Sequence, residues 1–271
     1  MEEISDEELR SLTRAIKMRY DIDFTNYEPK SLKRGFARLI SRNGMGSLLG
    51  LWSKVLQDRE FFMGCIDDLT VNETGLFRNP EVWTTMKNLI NDQFSNRNEL
   101  SIWHAGCSSG EEVYTLAMVL EEIGMLRKTK AVASDLSTRI LAKAKKGEFS
   151  ELLLNKYEKS YVEYSPNGNL KKYFNKDGDD SYLINPRLRS HVEFIQHNLV
   201  SEGMNKTFDI IFCRNVMIYF DSSLKTNVLD LFHKSLAPGG YFIIGYYDSL
   251  PIESRDLFEV YDPTHRIYRK K

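Results

Sequence analysis

IWHAGCSSGEEVYTLAMVL, residues 102–120, decides how this chain folds. It opens with a short apolar run and passes through Ala105, Gly106, Cys107, Ser108, Ser109 and Gly110. It then places Val113, Leu116, Ala117 and Leu120 at helical spacing. The pattern predicts a strand, a tight turn of small residues and a helix. In an α/β sheet such a turn lies at the carboxyl end of a strand, where bare backbone approaches a nucleotide. A P-loop would close with Gly-Lys-Ser/Thr, whereas this turn closes with Gly110-Glu111-Glu112, whose carboxylates suit the helix dipole and repel phosphate. A dinucleotide site is disfavoured for the same reason. Carboxylates here suit a ligand with a cationic part, such as S-adenosylmethionine with its sulfonium and ammonium groups. For Glu111 a plain helix-start role is favoured, and for Glu112 the two roles are evenly balanced.

The chain has 271 residues, 42% apolar and 28% charged, and is long enough for a large core. Lys+Arg 37 against Asp+Glu 38 gives a net charge of -1, which argues against a broad nucleic-acid footprint. No apolar run approaches the roughly 18 residues of a membrane span, and the start, MEEISDEELR, is acidic, so a cytoplasmic protein is expected. Cys65, Cys107 and Cys213 form no CxxC pair. They are expected to be small buried hydrophobes, with neither a disulfide framework nor a metal site.

The first seventy residues lack a convincing strand. Ser5 and Glu8 make a capping box ahead of Leu9, Leu12 and Ile16, and Pro29 opens a helix with Leu32, Phe36, Leu39 and Ile40 as its stripe. Along that helix Lys30, Arg34, Arg38 and Arg42 recur every fourth residue. This basic edge is either a solvated face or a docking surface for an acidic partner, and the two readings weigh about equally. Two more amphipathic helices follow, through Leu51, Trp52, Val55 and Leu56, then Phe62, Cys65, Ile66 and Leu69. The linker VNETGLFRNP, residues 71–80, mixes Asn72 and Thr74 with the anchors Leu76 and Phe77 and the cation Arg78. It reads as an interdomain connection or as a segment folded over a site. Asn79 and Pro80 fit the N-cap and first position of the next helix.

From Ser101 strands and helices alternate. Ala131–Ala133 forms a second strand ending at Asp135, which follows the Gly turn at about the spacing (roughly twenty residues) where a strand-end carboxylate accepts ribose hydroxyls. Between Gly147 and Ser190 the alternation breaks, with turn signals at Pro166-Asn167-Gly168 and Asp177-Gly178, and an inserted antiparallel subdomain is expected. The sheet resumes with Val192–Gln196, ending at His197-Asn198-Leu199, and Phe208–Phe212, ending at Cys213-Arg214-Asn215. A helix with Leu224, Val228, Leu231 and Phe232 is expected to stop at Pro238-Gly239-Gly240. Tyr241–Gly245 is a fifth strand, and Phe258–Tyr261 with Arg266–Tyr268 a closing pair. His104 and His197 show no triad partners.

Six motifs in order, VNETGLFRNP, WHAGCSSGEEVYTLAM, ASDLS, HNL, FDIIFCRNVMIYF and LAPGGY, make the chain resemble the chemotaxis receptor glutamate methyltransferases, the CheR family, over nearly its whole length. The resemblance implies an α/β fold of the class I S-adenosylmethionine-dependent methyltransferases: a Rossmann-like, mostly parallel seven-stranded sheet. An all-α amino-terminal domain over 1–70, a linker or lid over 71–80 and a methyltransferase domain over 81–271 are expected, the last with a small antiparallel β-subdomain at about 148–190. It further implies that Asn72, Thr74, Arg78, Ala105, Gly106, Glu112, Asp135, Asn198, Leu199, Arg214 and Asn215 surround the cofactor, with Arg78 and Tyr219 nearest the chemistry. The implied partner is the cytoplasmic helical domain of transmembrane chemoreceptors, met by a monomer that neither enters the membrane nor binds nucleic acid. Ser109 stands where Thr is usual, Gly75-Leu76-Phe77 replaces a more aromatic version, and Gly245-Tyr246-Tyr247-Asp248-Ser249-Leu250 replaces Gly-His-Ser-Glu-Ser-Leu. Residues 148–190 lack a glycine-rich loop of the kind that grips a receptor tail peptide, so tail-independent action is expected.

The implied reaction is attack of a glutamate oxygen on the sulfonium methyl, giving a methyl ester and S-adenosylhomocysteine. A glutamate of pKa roughly 4.3 is already ionised at neutral pH, so no general base is needed. Orientation of the reactants can supply on the order of 7–11 kcal/mol. A class I methyltransferase acting on another protein or a small molecule, and a non-catalytic S-adenosylmethionine-binding adaptor, are the alternatives. A nicotinamide dehydrogenase is disfavoured because the turn lacks Gly-x-Gly-x-x-Gly.

Overall fold

The computed structural model describes residues 4–69, 73–254 and 256–271. Helices α1 (Asp6–Tyr20), α2 (Pro29–Arg42), α3 (Leu48–Gln57) and α4 (Arg59–Leu69) form the amino-terminal layer. The Ser5 hydroxyl accepts from Glu8 N at 3.2 Å while Ser5 N donates to the Glu8 carboxylate at 2.9 Å, so the capping box is formed. Glu28 caps α2 by accepting from Lys30 N and Ser31 N, with Pro29 in the first turn where its missing N–H costs nothing. Leu12, Ile16, Phe36, Leu51, Phe62 and Ile66 meet as one buried cluster. No helix among the described residues is long and apolar enough to cross a membrane.

After α5 (Pro80–Phe94) come β1 (Leu100–Ala105), α6 (Glu111–Glu122), β2 (Thr129–Asp135) and α7 (Thr138–Lys146). Next follow β3 (Glu148–Ser150), α8 (Glu151–Tyr164), β4 (Phe174–Lys176), β5 (Ser181–Ile184) and α9 (Pro186–Arg189). The chain ends with β6 (Val192–Gln196), β7 (Phe208–Cys213), α10 (Ser222–Ser235), β8 (Leu236–Ile244), β9 (Phe258–Asp262) and β10 (Ile267–Lys270). The large sheet has seven strands in the order β6-β2-β1-β7-β8-β10-β9. The first five are mutually parallel, and β10 runs antiparallel to both β8 and β9. From β1 the chain builds outward first through β2 and β6, then on the other side through β7 and β8. That reversal opens a crevice at the carboxyl end of β1, the usual place for a ligand in such a sheet.

Strand periodicity sorts the core into two layers. Ile102, Ile210 and Phe212 face α5 and α6, while Trp103, Ala105, Ile211 and Cys213 face α10. All three cysteines are buried and free.

One expectation is corrected. Pro238-Gly239-Gly240 does not end the helix, because α10 stops at Ser235 and β8 starts at once. Leu236 pairs with Phe208 and Tyr241 with Ile210, so the intervening residues bulge out of the ladder, where a proline without an N–H is tolerated. The expected antiparallel insert is present, in the order β3-β5-β4, and a 14-residue helix, α8, lies within it. Leu154, Tyr157 and Tyr161 are its buried stripe.

Candidate active site

The turn after β1 is fixed by its neighbour strand. Gly106 N and Cys107 N both donate to the Ser134 carbonyl, at 2.8 and 2.9 Å. Gly106 has φ +76°, and a Cβ there would overlap Val216 Cγ2, so only glycine fits. Ser108 N then donates to Asp135 Oδ2 at 2.9 Å, while Ser137 N donates to Oδ1 at 3.1 Å. Asp135 therefore ties the turn to the end of β2 and still faces the crevice.

Glu112, in the first turn of α6, is the centre of a buried charge network. One carboxylate oxygen meets His104 Nδ1 at 3.0 Å and the other meets Arg214 Nη1 at 3.3 Å. Burial pushes the Glu112 carboxyl up, but His104 and Arg214 outweigh it and hold the group below the usual carboxylate range. Arg214 Nη2 also donates to the Arg78 carbonyl at 3.2 Å and to Asn79 Oδ1 at 2.9 Å, and its guanidinium lies 5.3 Å from the centre of the Trp83 ring. His104, which shows no triad partner in the sequence, stacks on Phe212 and backs Glu112. Asn79 occupies the N-cap position of α5 but makes no side-chain cap, since its side chain serves Arg214.

The neighbouring Glu111 points elsewhere. It accepts from the Ser109 hydroxyl at 2.7 Å and the Tyr157 hydroxyl at 3.5 Å, and burial raises its carboxyl.

The segment from Glu73 to Asn79 is a fitted strap. Phe77 N donates to Thr115 Oγ1 at 3.0 Å, and the Phe77 ring packs on Tyr161 and Tyr164 with centroids 5.0 and 4.8 Å away. Arg78 Nη1 donates to the Glu73 carbonyl at 2.8 Å, and Trp83 Nε1 donates to the Arg78 carbonyl at 3.1 Å. Asn72 lies outside the described residues.

On the far wall His197 N donates to the Asp135 carbonyl at 3.1 Å, and Asn198 Oδ1 accepts from Val200 N at 3.0 Å. Asn215, at φ 62°, is held by Asp248, whose Oδ2 accepts from Asn215 N at 2.7 Å and Gly245 N at 2.8 Å. Burial pushes the Asp248 carboxyl up against these two donors. Tyr219 follows in a short 3-10 turn, where burial raises its hydroxyl and the Arg78 charge opposes the rise.

Together these walls enclose about 980 Å³, open space at the mouth included. Thr74, Arg78, Gly106, Glu112 and Asp135 line it, as do Asn198, Leu199, Arg214, Asn215 and Tyr219. Ala105 does not: it is buried against the sheet core, because its side chain follows the strand alternation away from the crevice. The sequence reading missed Tyr27, Leu136, Val216 and Phe220, apolar or aromatic walls with no motif to mark them. The basic edge lies apart from the crevice lining. Arg38 donates to the Asp68 carbonyl at 2.8 Å and Arg42 pairs with the Asp68 carboxylate at 2.9 Å, and all four cations of the edge are exposed. No group of three His, Cys, Asp or Glu side chains able to hold a metal occurs among the described residues.

The crevice fits an adenosine ligand with a charged amino-acid tail. Asp135 stands at the ribose position, bare backbone lies at Gly106, and the Glu112 carboxylate and the Arg214 guanidinium line the same crevice. Ser108 Oγ, His197 Nδ1 and Arg214 Nε, all on lining residues, are buried without a partner among the described residues. Sheet order, turn and donor set thus define a class I methyltransferase. More narrowly, the family described as "CheR methyltransferase, SAM binding domain" matches residues 72–267 and "CheR methyltransferase, all-alpha domain" matches residues 7–70, so the chain belongs to the CheR methyltransferase family. It binds S-adenosylmethionine through this domain. It is 31% identical over 267 residues to the Pseudomonas putida protein named "Putative methyltransferase Cher3", covering 98% of this chain and 97% of that one. It is 34% identical to "Chemotaxis protein methyltransferase 1" of Pseudomonas aeruginosa over 79% of each chain. To the "Chemotaxis protein methyltransferase" of Vibrio anguillarum it is 32% identical over 91% of this chain and 90% of that one.

Proposed function

We propose that this protein methylates glutamate side chains of chemotaxis receptors, producing glutamyl methyl esters. The observation that carries the reading is the meeting of Arg78 and Tyr219 in one crevice with Asp135 and the Glu112–Arg214 pair. S-adenosylmethionine, when bound, supplies an electrophilic methyl group to the acceptor carboxylate and leaves as S-adenosylhomocysteine. Asn72, Thr74, Gly106, Glu112, Asp135, Asn198, Leu199, Arg214 and Asn215 hold the cofactor. Arg78 orients the acceptor carboxylate by charge, and Tyr219 donates a hydrogen bond that aligns the attacking oxygen. No side chain has to remove a proton, since a glutamate with an ordinary pKa of roughly 4.3 is ionised at neutral pH. His104 is engaged by Glu112 behind the wall, and His197 Nε2 lies 3.2 Å from the Gly203 carbonyl, so neither imidazole is needed as a base.

In this reading residues 1–70 are the receptor-facing helical domain, with Lys30, Arg34, Arg38 and Arg42 toward the acidic partner. Residues 71–80 are the lid and 81–271 the catalytic domain. The enzyme works in the cytoplasm as a monomer, without a grip on a receptor tail. The test is incubation with methyl-labelled cofactor and receptor-rich membranes, followed by alkali. Label released as methanol supports the ester. Alkali-stable label sinks the glutamate assignment, and cofactor binding with no transfer favours an adaptor.

A further inference from the structure

We infer that Tyr27, a residue of the helical layer, is a cofactor-binding residue whose ring walls the nucleoside end of the crevice. The inference rests on the reading of that crevice as the methyl-transfer site. Among the described lining residues Tyr27 alone precedes the strap; all the others lie at Glu73 or beyond.

Its placement is built into the backbone. Tyr27 forms an isolated antiparallel bridge with Phe220. On either side of it, Glu28 N donates to the Tyr219 carbonyl at 2.8 Å and Asp221 N donates to the Asn26 carbonyl at 2.9 Å. Both strands of this contact are anchored at helix starts, because Glu28 caps α2 and Asp221 caps α10. Asp23 stiffens the loop from below by accepting from Thr25 N at 2.8 Å and pairing with Lys17 at 2.5 Å. The ring is gripped edge-on by Phe24 and Phe220, with centroids 5.0 and 5.1 Å away. An aromatic side chain held by two ring contacts presents its remaining surface at little entropic cost, which suits it to a planar ligand.

The chemistry of the surroundings selects the nucleoside end. Tyr27 and Asp135 line the same crevice, and burial, followed by the charge of Asp135, pushes the Tyr27 phenol far above its ordinary value, so the hydroxyl stays neutral. Leu136, the residue after Asp135, packs onto the core of the helical layer and also lines the crevice. The Tyr27 hydroxyl makes no hydrogen bond to a described residue. A purine nucleoside seated against Asp135 would therefore meet Tyr27 and Leu136 as its apolar cover.

The test is titration of the full-length protein with S-adenosylhomocysteine by calorimetry, without receptor, on wild type, Tyr27→Ala and Tyr27→Phe. Tyr27→Ala should weaken binding by about tenfold or more, and Tyr27→Phe should recover most of the loss. In turnover assays the same variants should raise the cofactor KM more than they lower kcat. Binding by a folded Tyr27→Ala within about twofold of wild type overturns the inference, as does an equal loss in Tyr27→Phe, which would take the wall away from the ring. If Tyr27→Ala does not fold, Tyr27→Leu keeps the apolar bulk without the ring, and wild-type affinity in that variant overturns the inference equally. A wild-type protein that fails to bind S-adenosylhomocysteine sinks the cofactor assignment of the crevice itself, whereas strong wild-type binding with indifferent Tyr27 variants sinks only the assignment of Tyr27.

Discussion

Replacing Arg214 by Met isolates the charge network that joins the cofactor wall to the strap. The Arg214 side chain is 4% exposed and that of Glu112 is 17%, so the pair lies largely out of water. Methionine retains an unbranched stem over Trp83 and leaves little cavity, so the main loss is electrostatic. The substitution strands one oxygen of Glu112 together with Asn79 Oδ1, and leaves the Arg78 carbonyl with Trp83 Nε1 as its donor. Removing one partner of a buried ion pair costs about 3–5 kcal/mol. At roughly 2–4 °C per kcal/mol for a chain near this size, the unfolding midpoint should fall by roughly 6–20 °C. The loss should also depend on pH in one direction. His104 and Arg214 depress the folded-state pKa of Glu112, so its contribution is present above the ordinary carboxylate pKa and disappears as pH falls through the folded value. Without Arg214 that depression shrinks, and the gap between wild type and variant should be widest near neutrality and narrow in acid. Urea unfolding followed by the fluorescence of the buried Trp83 and Trp103 at neutral and acidic pH measures both quantities. A loss below about 1 kcal/mol, the scale of an exposed ion pair, or a gap that widens in acid would refute the reasoning.

Arg78→Ala should lower turnover by orders of magnitude on receptor substrate with the unfolding curve little changed; near wild-type turnover removes Arg78 from the chemistry. Glu111→Gln keeps an acceptor for the Ser109 hydroxyl but removes a carboxylate that burial raises. Wild type should lose stability relative to this variant as pH rises from the ordinary carboxylate value through the folded one, and denaturation at two pH values would expose the opposite trend. Reversing the charges of Lys30 and Arg34 together should cut kcat/KM on receptor by about tenfold at low salt and less at high salt, with S-adenosylhomocysteine affinity unchanged. An equal loss at all salt concentrations would take the receptor off this face.

The turn at 106–112 announced the sheet because its glycines and carboxylates answer local demands: a positive φ at Gly106, and an α6 start suited to negative charge. Asp135, Asn198 and Arg214 could be placed because strand ends recur at one edge of a parallel sheet. What escaped was set by contacts distant in sequence. Helix α8 has its stripe at Leu154, Tyr157 and Tyr161, but the surrounding Tyr, Lys and Asn masked it, and its apolar face is explained by partners distant in sequence, Phe77 of the strap among them. The bulge at Pro238-Gly239-Gly240 looked like a helix stop because those residues serve both purposes, and only the Leu236–Phe208 pairing decides between them. The contact of His104 with Glu112 was not legible because the two stand eight residues apart, across a turn that brings the end of β1 back over the start of α6. Tyr27 lay beyond reach for the same reason, since nothing near it in sequence refers to Phe220.

The strap resolves a difficulty in using an arginine beside a nucleophilic carboxylate. A guanidinium free to form a two-pronged pair would bind the acceptor tightly and lower its nucleophilicity. Arg78 has one prong committed to the Glu73 carbonyl at 2.8 Å, which holds the cation in place and withdraws a donor from the acceptor. The Arg78 carbonyl, meanwhile, accepts from Arg214 at 3.2 Å and Trp83 at 3.1 Å. The residue assigned to orient the acceptor is therefore held through its own backbone by the cation that also holds Glu112. If Arg214 holds the cofactor and Arg78 the acceptor, as proposed, the hydrogen bond from Arg214 to the Arg78 carbonyl would link cofactor seating to acceptor alignment. A Lys at position 214 could keep the charge opposite Glu112, but as a single point donor it could not also hold both Asn79 and the Arg78 carbonyl. Arg214→Lys should accordingly spare cofactor affinity more than turnover, and equal losses in the two would break the proposed link between them.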